Sequence, residues 1–153
     1  MKNCEADSIK NCAGEVRGSR FAVLGLEWQH VKIERFEDIE AWKLARELMT
    51  RVYDVTDKGE FARDFGLRDQ IRRAAGSVMH NIAEGFDVGS NAEFVRFLQY
   101  SKRSCTEVQS QLYVALDRKY VTDVEFNTLY EQMCLVRAKI GAFIKYLTAN
   151  PKP

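Results

Sequence analysis

Apolar residues recur at intervals of three and four over most of the chain from about residue 33 onward. This spacing places them on one face of an α-helix, with polar residues on the other face. No stretch alternates apolar and polar residues for long enough to predict a strand. The pattern predicts an all-α protein whose four helices begin near Asp38, Leu67, Ser90 and Thr122.

The last two helices carry the most regular patterns. In each, apolar positions follow a capping-box signature in which Ser90 or Thr122 precedes Glu93 or Glu125 by three residues. Short connections between such helices predict an antiparallel up-and-down four-helix bundle. The same heptads would also suit a long intermolecular coiled coil, although the short breaks favour a compact bundle. The apolar positions are Phe94, Leu98, Ser101, Cys105, Val108, Leu112 and Ala115, then Phe126, Leu129, Met133, Val136, Ile140, Phe143 and Leu147.

The second helix contains a run of four small residues from 74 to 77. Gly76 costs about 1 kcal/mol of helix propensity relative to alanine, so we expect a neighbouring helix to approach closely there. Asn81 is expected to be a buried amide that fixes the register of the helix. Gly85 stands where a left-handed residue often ends a helix, and Glu84 in the last turn should have a specific partner.

Length and composition indicate one domain. The chain has 153 residues, of which 46% are hydrophobic and 29% charged, and its formal net charge is +1. We assign the bundle to residues 33–148 and a short tail to 149–153. Residues 1–32 show no sustained period, which predicts a poorly ordered extension. We further expect translation to start at Val31, so that residues 1–30 are an upstream extension.

Several functional classes find no support in the sequence. The longest apolar run near the N-terminus, Phe21 to Leu26, is too short to span a membrane, so we expect a cytoplasmic protein without a membrane partner. The four cysteines form no CxxC pair, and His80 with Glu84 lacks a third ligand, so no metal or other cofactor is expected. No nucleophile or acid–base pair stands out, which predicts a protein that is not an enzyme.

Basic residues on the second and third helices are the main candidates for binding. If these residues converge, their charges could neutralise a polyanion and release its counterions. The alternative is that they are solvated helix charges paired with Asp69, Glu93 and Glu107. Tyr100 and two later tyrosines could likewise stack on bases or simply pack between helices. The candidate residues are Arg68, Arg72, Arg73, Arg96, Lys102 and Arg103.

Three blocks of the sequence resemble a known family. FEDIEAWKLARELMTRVYDVT, FGLRDQIRRAAGSVMHNIAEG and SNAEFVRFLQYSKRSCTEVQSQL are similar to successive blocks of the proteins encoded in intervening sequences of bacterial 23S ribosomal RNA genes. The resemblance covers about Ile33 to Leu147, and NIAEG at Asn81 to Gly85 is its most specific part. It implies a four-helix bundle assembled into a ring-shaped homopentamer. This chain has Arg103 and Ser104 where family members often have Gly-Ser.

A more distant resemblance concerns the accessory variability determinant proteins of diversity-generating retroelements. It implies the same bundle and ring, with nucleic acid or a reverse transcriptase bound through a basic surface. Together with the basic residues, it leads us to expect an oligomeric accessory protein that binds structured RNA, or DNA, through clustered arginines. The other hypothesis is a scaffold that binds a protein partner and does not contact nucleic acid.

Overall fold

The computed structural model describes residues 33–151 and contains four α-helices joined by short connections. Within this range there is no β-strand, which confirms the prediction of an all-α protein with four helices. The proposed extension at residues 1–32 and the last two residues of the tail lie outside the described part. The helices are α1 (Glu40–Thr56), α2 (Phe65–Phe86), α3 (Asn91–Asp117) and α4 (Asp123–Ala149), with short 3₁₀ helices at Phe36–Asp38 and Phe61–Arg63.

Hydrogen bonds between helices establish their relative directions. Asn91 at the start of α3 bonds to Asn150 at the end of α4, whereas Gln109, further along α3, bonds to Cys134 nearer the start of α4, as expected when the two helices run antiparallel. At the other end of the bundle, Lys58 after α1 forms a 3.6 Å ion pair with Glu125 at the start of α4. The bonds of α3 are Ser101 Oγ to Val78 O (2.7 Å), Asn91 Nδ2 to Asn150 O (2.7 Å) and Gln109 Nε2 to Cys134 Sγ (3.4 Å).

The apolar positions predicted from the sequence form the core between the helices. Ile71, Val78, Leu112 and Ile140 have no exposed surface, so α2, α3 and α4 pack within one protomer. Burying one large aliphatic side chain stabilises the fold by about 1.5–3 kcal/mol. No helix of the described part is long and apolar enough to cross a membrane.

Gly85 differs from the prediction. It lies inside α2, which ends at Phe86, and its backbone does not take a left-handed conformation. A Cβ at this position would lie 2.6 Å from Cδ2 of Phe94 and 2.7 Å from Cβ of Phe97, both on α3. The close approach expected at Gly76 therefore occurs at Gly85, since a Cβ at Gly76 would make only ordinary contacts with His80 and Met49.

The helix caps agree in part with the sequence patterns. Ser90 Oγ accepts a hydrogen bond from the Glu93 amide, and Thr122 with Glu125 forms the full capping box. Asp38, however, does not cap α1. Its carboxylate accepts from the amides of Glu34 and Arg35 instead, and these backbone hydrogen bonds lower its pKa.

The structure bears on two residues of the NIAEG block, Asn81 and Glu84. Asn81 is half-buried, and its Nδ2 donates to the carbonyl oxygen and the hydroxyl of Ser77, at 2.7 and 2.9 Å. The Ser77 hydroxyl also bonds to Ser104 Oγ on α3 at 2.9 Å, so Asn81 helps to fix the pairing of α2 with α3. Glu84 is exposed, and its side chain has no hydrogen bond or ion pair within residues 33–151, so its specific partner stays a prediction.

Candidate nucleic-acid interface

Arg68 lies near the start of α2 and contacts residues at the same end of the bundle. Its Nη1 donates to the carbonyl of Ala62 at 3.0 Å, and its Nε donates to Asp69 Oδ1 at 2.9 Å. The guanidinium also stands 4.6 Å from the ring centroid of Phe65. These contacts hold the 3₁₀ turn at Phe61–Arg63 against α2, so much of the donor capacity of Arg68 is already used.

Arg72 is bound still more firmly, between α1 and α2. Its Nε donates to Thr56 Oγ1 at 2.7 Å, its Nη2 pairs with Asp57 Oδ1, and its guanidinium lies 4.3 Å from the ring centroid of Tyr53. Only 16% of the side chain is exposed. A guanidinium with this set of partners connects two helices and offers little surface to a polyanion.

Arg73, one residue further, has a different environment. Its side chain is exposed and forms no ion pair or hydrogen bond within the described part of the chain. One step along a helix rotates the side chain by about 100°, which is enough to turn it from the α1 contact to solvent. The three arginines of α2 therefore do not present one common surface.

Two arginines on α3 lie beside Tyr100. Arg96 Nε donates to the Tyr100 hydroxyl at 2.8 Å, and the guanidinium carbons of Arg96 and Arg103 lie 5.8 and 5.7 Å from the centroid of the ring. Phe97 contacts the same ring edge-on, with centroids 6.2 Å apart. A half-buried tyrosine therefore lies beside two cations on the surface of α3.

A shallow groove of about 380 Å³ runs between α3 and α4. Its cationic residues are Lys102 and Arg103 from α3 and Arg137 from α4, and its remaining lining residues, Gln99 and Thr106, are neutral. Lys102 and Arg103 were predicted from the sequence, whereas Arg137 was missed. The register of α3 against α4, in which Gln109 meets Cys134, brings Arg137 opposite them.

The acidic residues expected to neutralise these cations behave unequally. Asp69 pairs with Arg68 as the alternative hypothesis supposed. Glu107 instead accepts a hydrogen bond from Gln111 at 3.2 Å, and Glu93 forms no ion pair within residues 33–151. None of the three groove cations forms an ion pair in the described part of the chain, so no carboxylate of residues 33–151 neutralises them.

Two further kinds of candidate site, a metal centre and a reactive cysteine, concern the His, Cys, Asp and Glu residues of the described part. Within residues 33–151 no group of three His, Cys, Asp or Glu side chains is placed to hold a metal ion. Cys105 is fully buried, and burial raises the pKa of its thiol to about 12, although Arg137 acts in the opposite direction. A thiol in this state is a poor nucleophile at neutral pH.

The family model for the 23S rRNA-intervening sequence protein matches residues 37–142, which include α1, α2, α3 and most of α4. The chain belongs to this family. Among curated proteins there is no significant match.

A solved structure shows that the fold of this 23S rRNA-intervening sequence protein has been seen before. It is a protein of unknown function from the S23 ribosomal protein family of Bacteroides thetaiotaomicron, with a TM-score of 0.64 and 19% sequence identity. The match covers 69% of the present chain and 95% of the other. At this identity the likeness concerns the fold and not the residues of the groove.

Proposed function

We propose that this protein is a non-enzymatic accessory protein that binds structured RNA through the α3/α4 groove. The observation that supports this function most directly is the set of three cations, Lys102, Arg103 and Arg137, on one groove without a carboxylate in its lining. Phosphate oxygens are the natural partners of such a set, because guanidinium groups bind them in a bidentate manner. The family name, which refers to ribosomal RNA, is in keeping with this ligand class.

The neutral residues of the groove also suit a nucleic-acid backbone. Gln99 and Thr106 can donate hydrogen bonds to phosphate or sugar oxygens without adding charge. Arg96 is exposed on α3, beside the Tyr100 ring that Arg103 also contacts, and extends the positive field around the groove. Arg73 is exposed on α2 and contributes through long-range charge. Arg68 and Arg72 contribute through long-range charge more than through contact, because their donors are occupied.

Assembly into a ring-shaped homopentamer is proposed on the family resemblance, as is the more distant relation to retroelement accessory proteins. In a ring, copies of one groove would superpose their fields around the symmetry axis. A protomer with a formal charge of only +1 could then present a strongly positive surface at one place. Oligomerisation and RNA binding would in that case be linked.

A salt titration with labelled structured RNA tests the function. The triple variant K102Q/R103Q/R137Q should bind much more weakly and should lower the slope of log K against log salt concentration by about two. The matched control is K43Q/R46Q/R51Q, which removes three exposed charges from α1 and the same net charge. Equal losses in both variants, or RNA binding that ignores the groove substitutions, would reject the groove as the binding surface.

An observation on α4 favours the second candidate function, a protein-interaction scaffold. Val124, Leu135 and Tyr146 recur every eleven residues, so they lie on one face, and they are 75%, 46% and 59% exposed. An exposed apolar face of this kind is typical of protein–protein contact, between subunits or with another protein. RNA binding remains the preferred function because three cations line the groove and indicate an anionic ligand. The exposed apolar residues of α4 do not indicate which protein would cover them.

Light scattering separates these roles. Leu135→Asp should lower the molar mass if the α4 face joins subunits, whereas Val114→Asp, which alters an equally exposed residue of α3, should not. If Leu135→Asp changes neither the molar mass nor RNA binding, the α4 face does not join subunits, and a different protein is then its expected partner.

A further inference from the structure

We infer that the groove and Tyr100 together form a binding site for an unpaired nucleotide, with its phosphate in the groove and its base against the tyrosine. This inference rests on the proposed function and deepens it from structured RNA in general to the single-stranded segments of that RNA. It assigns a role to Tyr100, which the phosphate-binding groove alone does not use.

Arg103 is the residue that joins the two parts of the site. It lines the groove together with Lys102 and Arg137, and its guanidinium carbon is also 5.7 Å from the centroid of the Tyr100 ring. A ligand held by Arg103 through a phosphate therefore lies next to an aromatic ring. Since each nucleotide of RNA carries one phosphate and one base, a single nucleotide can span both parts.

The second arginine at Tyr100 keeps the ring in place. Arg96 Nε donates to the hydroxyl at 2.8 Å, and Phe97 packs against the ring edge-on. A tyrosine fixed in this way loses little side-chain entropy when a base stacks on it. Guanidinium planes also stack on bases, so Arg96 and Arg103 can extend the surface offered to the base.

The dimensions and chemistry favour an unpaired strand over a duplex. The groove measures about 380 Å³, close to the lower limit of small-ligand pockets, and so suits one sugar–phosphate unit. In a duplex the bases are stacked within the helix and their faces are covered. Base faces become accessible in loops, bulges and ends, where proteins bind them with aromatic side chains.

The test compares a labelled oligo-uridine with a duplex RNA of equal length, using fluorescence anisotropy at one salt concentration. Tyr100→Leu should lower the affinity for oligo-uridine about tenfold, because it removes stacking on one base, and should leave the affinity for the duplex unchanged. Tyr100→Phe keeps the ring, loses only the hydroxyl that accepts from Arg96, and should retain most of the affinity. Thermal unfolding of each variant shows whether the bundle is intact.

The outcomes distinguish this inference from the function on which it rests. If Tyr100→Leu binds oligo-uridine as well as the wild type does while K102Q/R103Q/R137Q does not, the nucleotide site is wrong and phosphate binding stands. If the duplex is preferred and Tyr100→Leu weakens it equally, the nucleotide site is also wrong. If neither RNA binds the wild-type protein, both proposals fall.

Discussion

The side chain of Arg72 donates a hydrogen bond from Nε to Oγ1 of Thr56 at 2.7 Å, across the interface between α2 and α1. Thr56 is fully buried and donates its own proton to the carbonyl of Val52, also at 2.7 Å. Its hydroxyl oxygen therefore remains free to accept from the guanidinium. Two consecutive hydrogen bonds, from Arg72 to Thr56 and from Thr56 to Val52, therefore connect α2 to the C-terminal turn of α1.

This contact predicts that neighbouring arginines differ in their effect on stability. Arg72→Ala should lower the free energy of unfolding by about 2 kcal/mol, because a charged donor to a buried hydroxyl is lost. Arg73→Ala removes an exposed side chain with no partner in residues 33–151 and should change stability by less than about 0.5 kcal/mol. Urea denaturation of both variants measures the difference, and equal losses would contradict the assignment of Arg72 as a structural residue.

Gly85 supplies a second pair of contrasting substitutions. Gly85→Ala should destabilise the bundle by about 1–3 kcal/mol, because the new Cβ would overlap Phe94 and Phe97 and push α2 away from α3. Gly141→Ala is the control within helix α4, where nothing lies within 4 Å of an added Cβ. That substitution should stabilise the protein by up to about 1 kcal/mol through helix propensity. Thermal unfolding would refute the close approach at Gly85 if both variants gained stability.

The four helices could be predicted from the sequence because the residues that a helix buries on one face must recur every three or four positions. Leu98, Cys105 and Leu112 follow that period on α3, and all three are fully buried. The candidate site was predicted only in part, because its members depend on contacts between helices. Nothing in the local sequence distinguishes Arg72 from Arg73, and only the register of α4 against α3 brings Arg137 to the groove.

Gly85 shows the same limit within a single motif. A glycine near the end of a helical pattern commonly marks a left-handed cap, which is a local rule. Here the two aromatic residues of α3 decide its role, since they occupy the space that a Cβ would need. The sequence shows that position 85 is a glycine. The reason why a glycine is needed there lies on α3, in the positions of Phe94 and Phe97.

Cys105 is expected to resist alkylation in the folded protein. Burial raises the pKa of its thiol to about 12, so at pH 8 roughly one molecule in ten thousand carries the thiolate, which is the reactive form. Peptide-level mass spectrometry after iodoacetamide treatment should find Cys105 unlabelled in native buffer and labelled in denaturant. Rapid labelling under native conditions would show that α3 opens locally and would contradict the tight packing of the core.

The capping box at the start of α4 predicts a dependence of stability on pH. The amide and hydroxyl of Thr122 donate to Glu125 Oε2 at 2.9 and 3.0 Å, and these hydrogen bonds lower the pKa of the carboxyl from its ordinary value of 4.5. Because the folded state favours the ionised form, its contribution is present above about pH 4.5 and is lost as pH falls through the lowered pKa.

Glu125→Gln removes the ionised cap together with the Lys58 ion pair, because glutamine can still accept from the Thr122 amide but does not ionise. The wild-type protein should exceed this variant in free energy of unfolding near pH 7, and the difference should shrink toward pH 3 as the carboxylate is protonated. Glu131→Gln, at an exposed position of the same helix without a partner in residues 33–151, controls for the loss of one charge. A difference between wild type and Glu125→Gln that stayed constant over this range would show that the ionised cap adds nothing to stability.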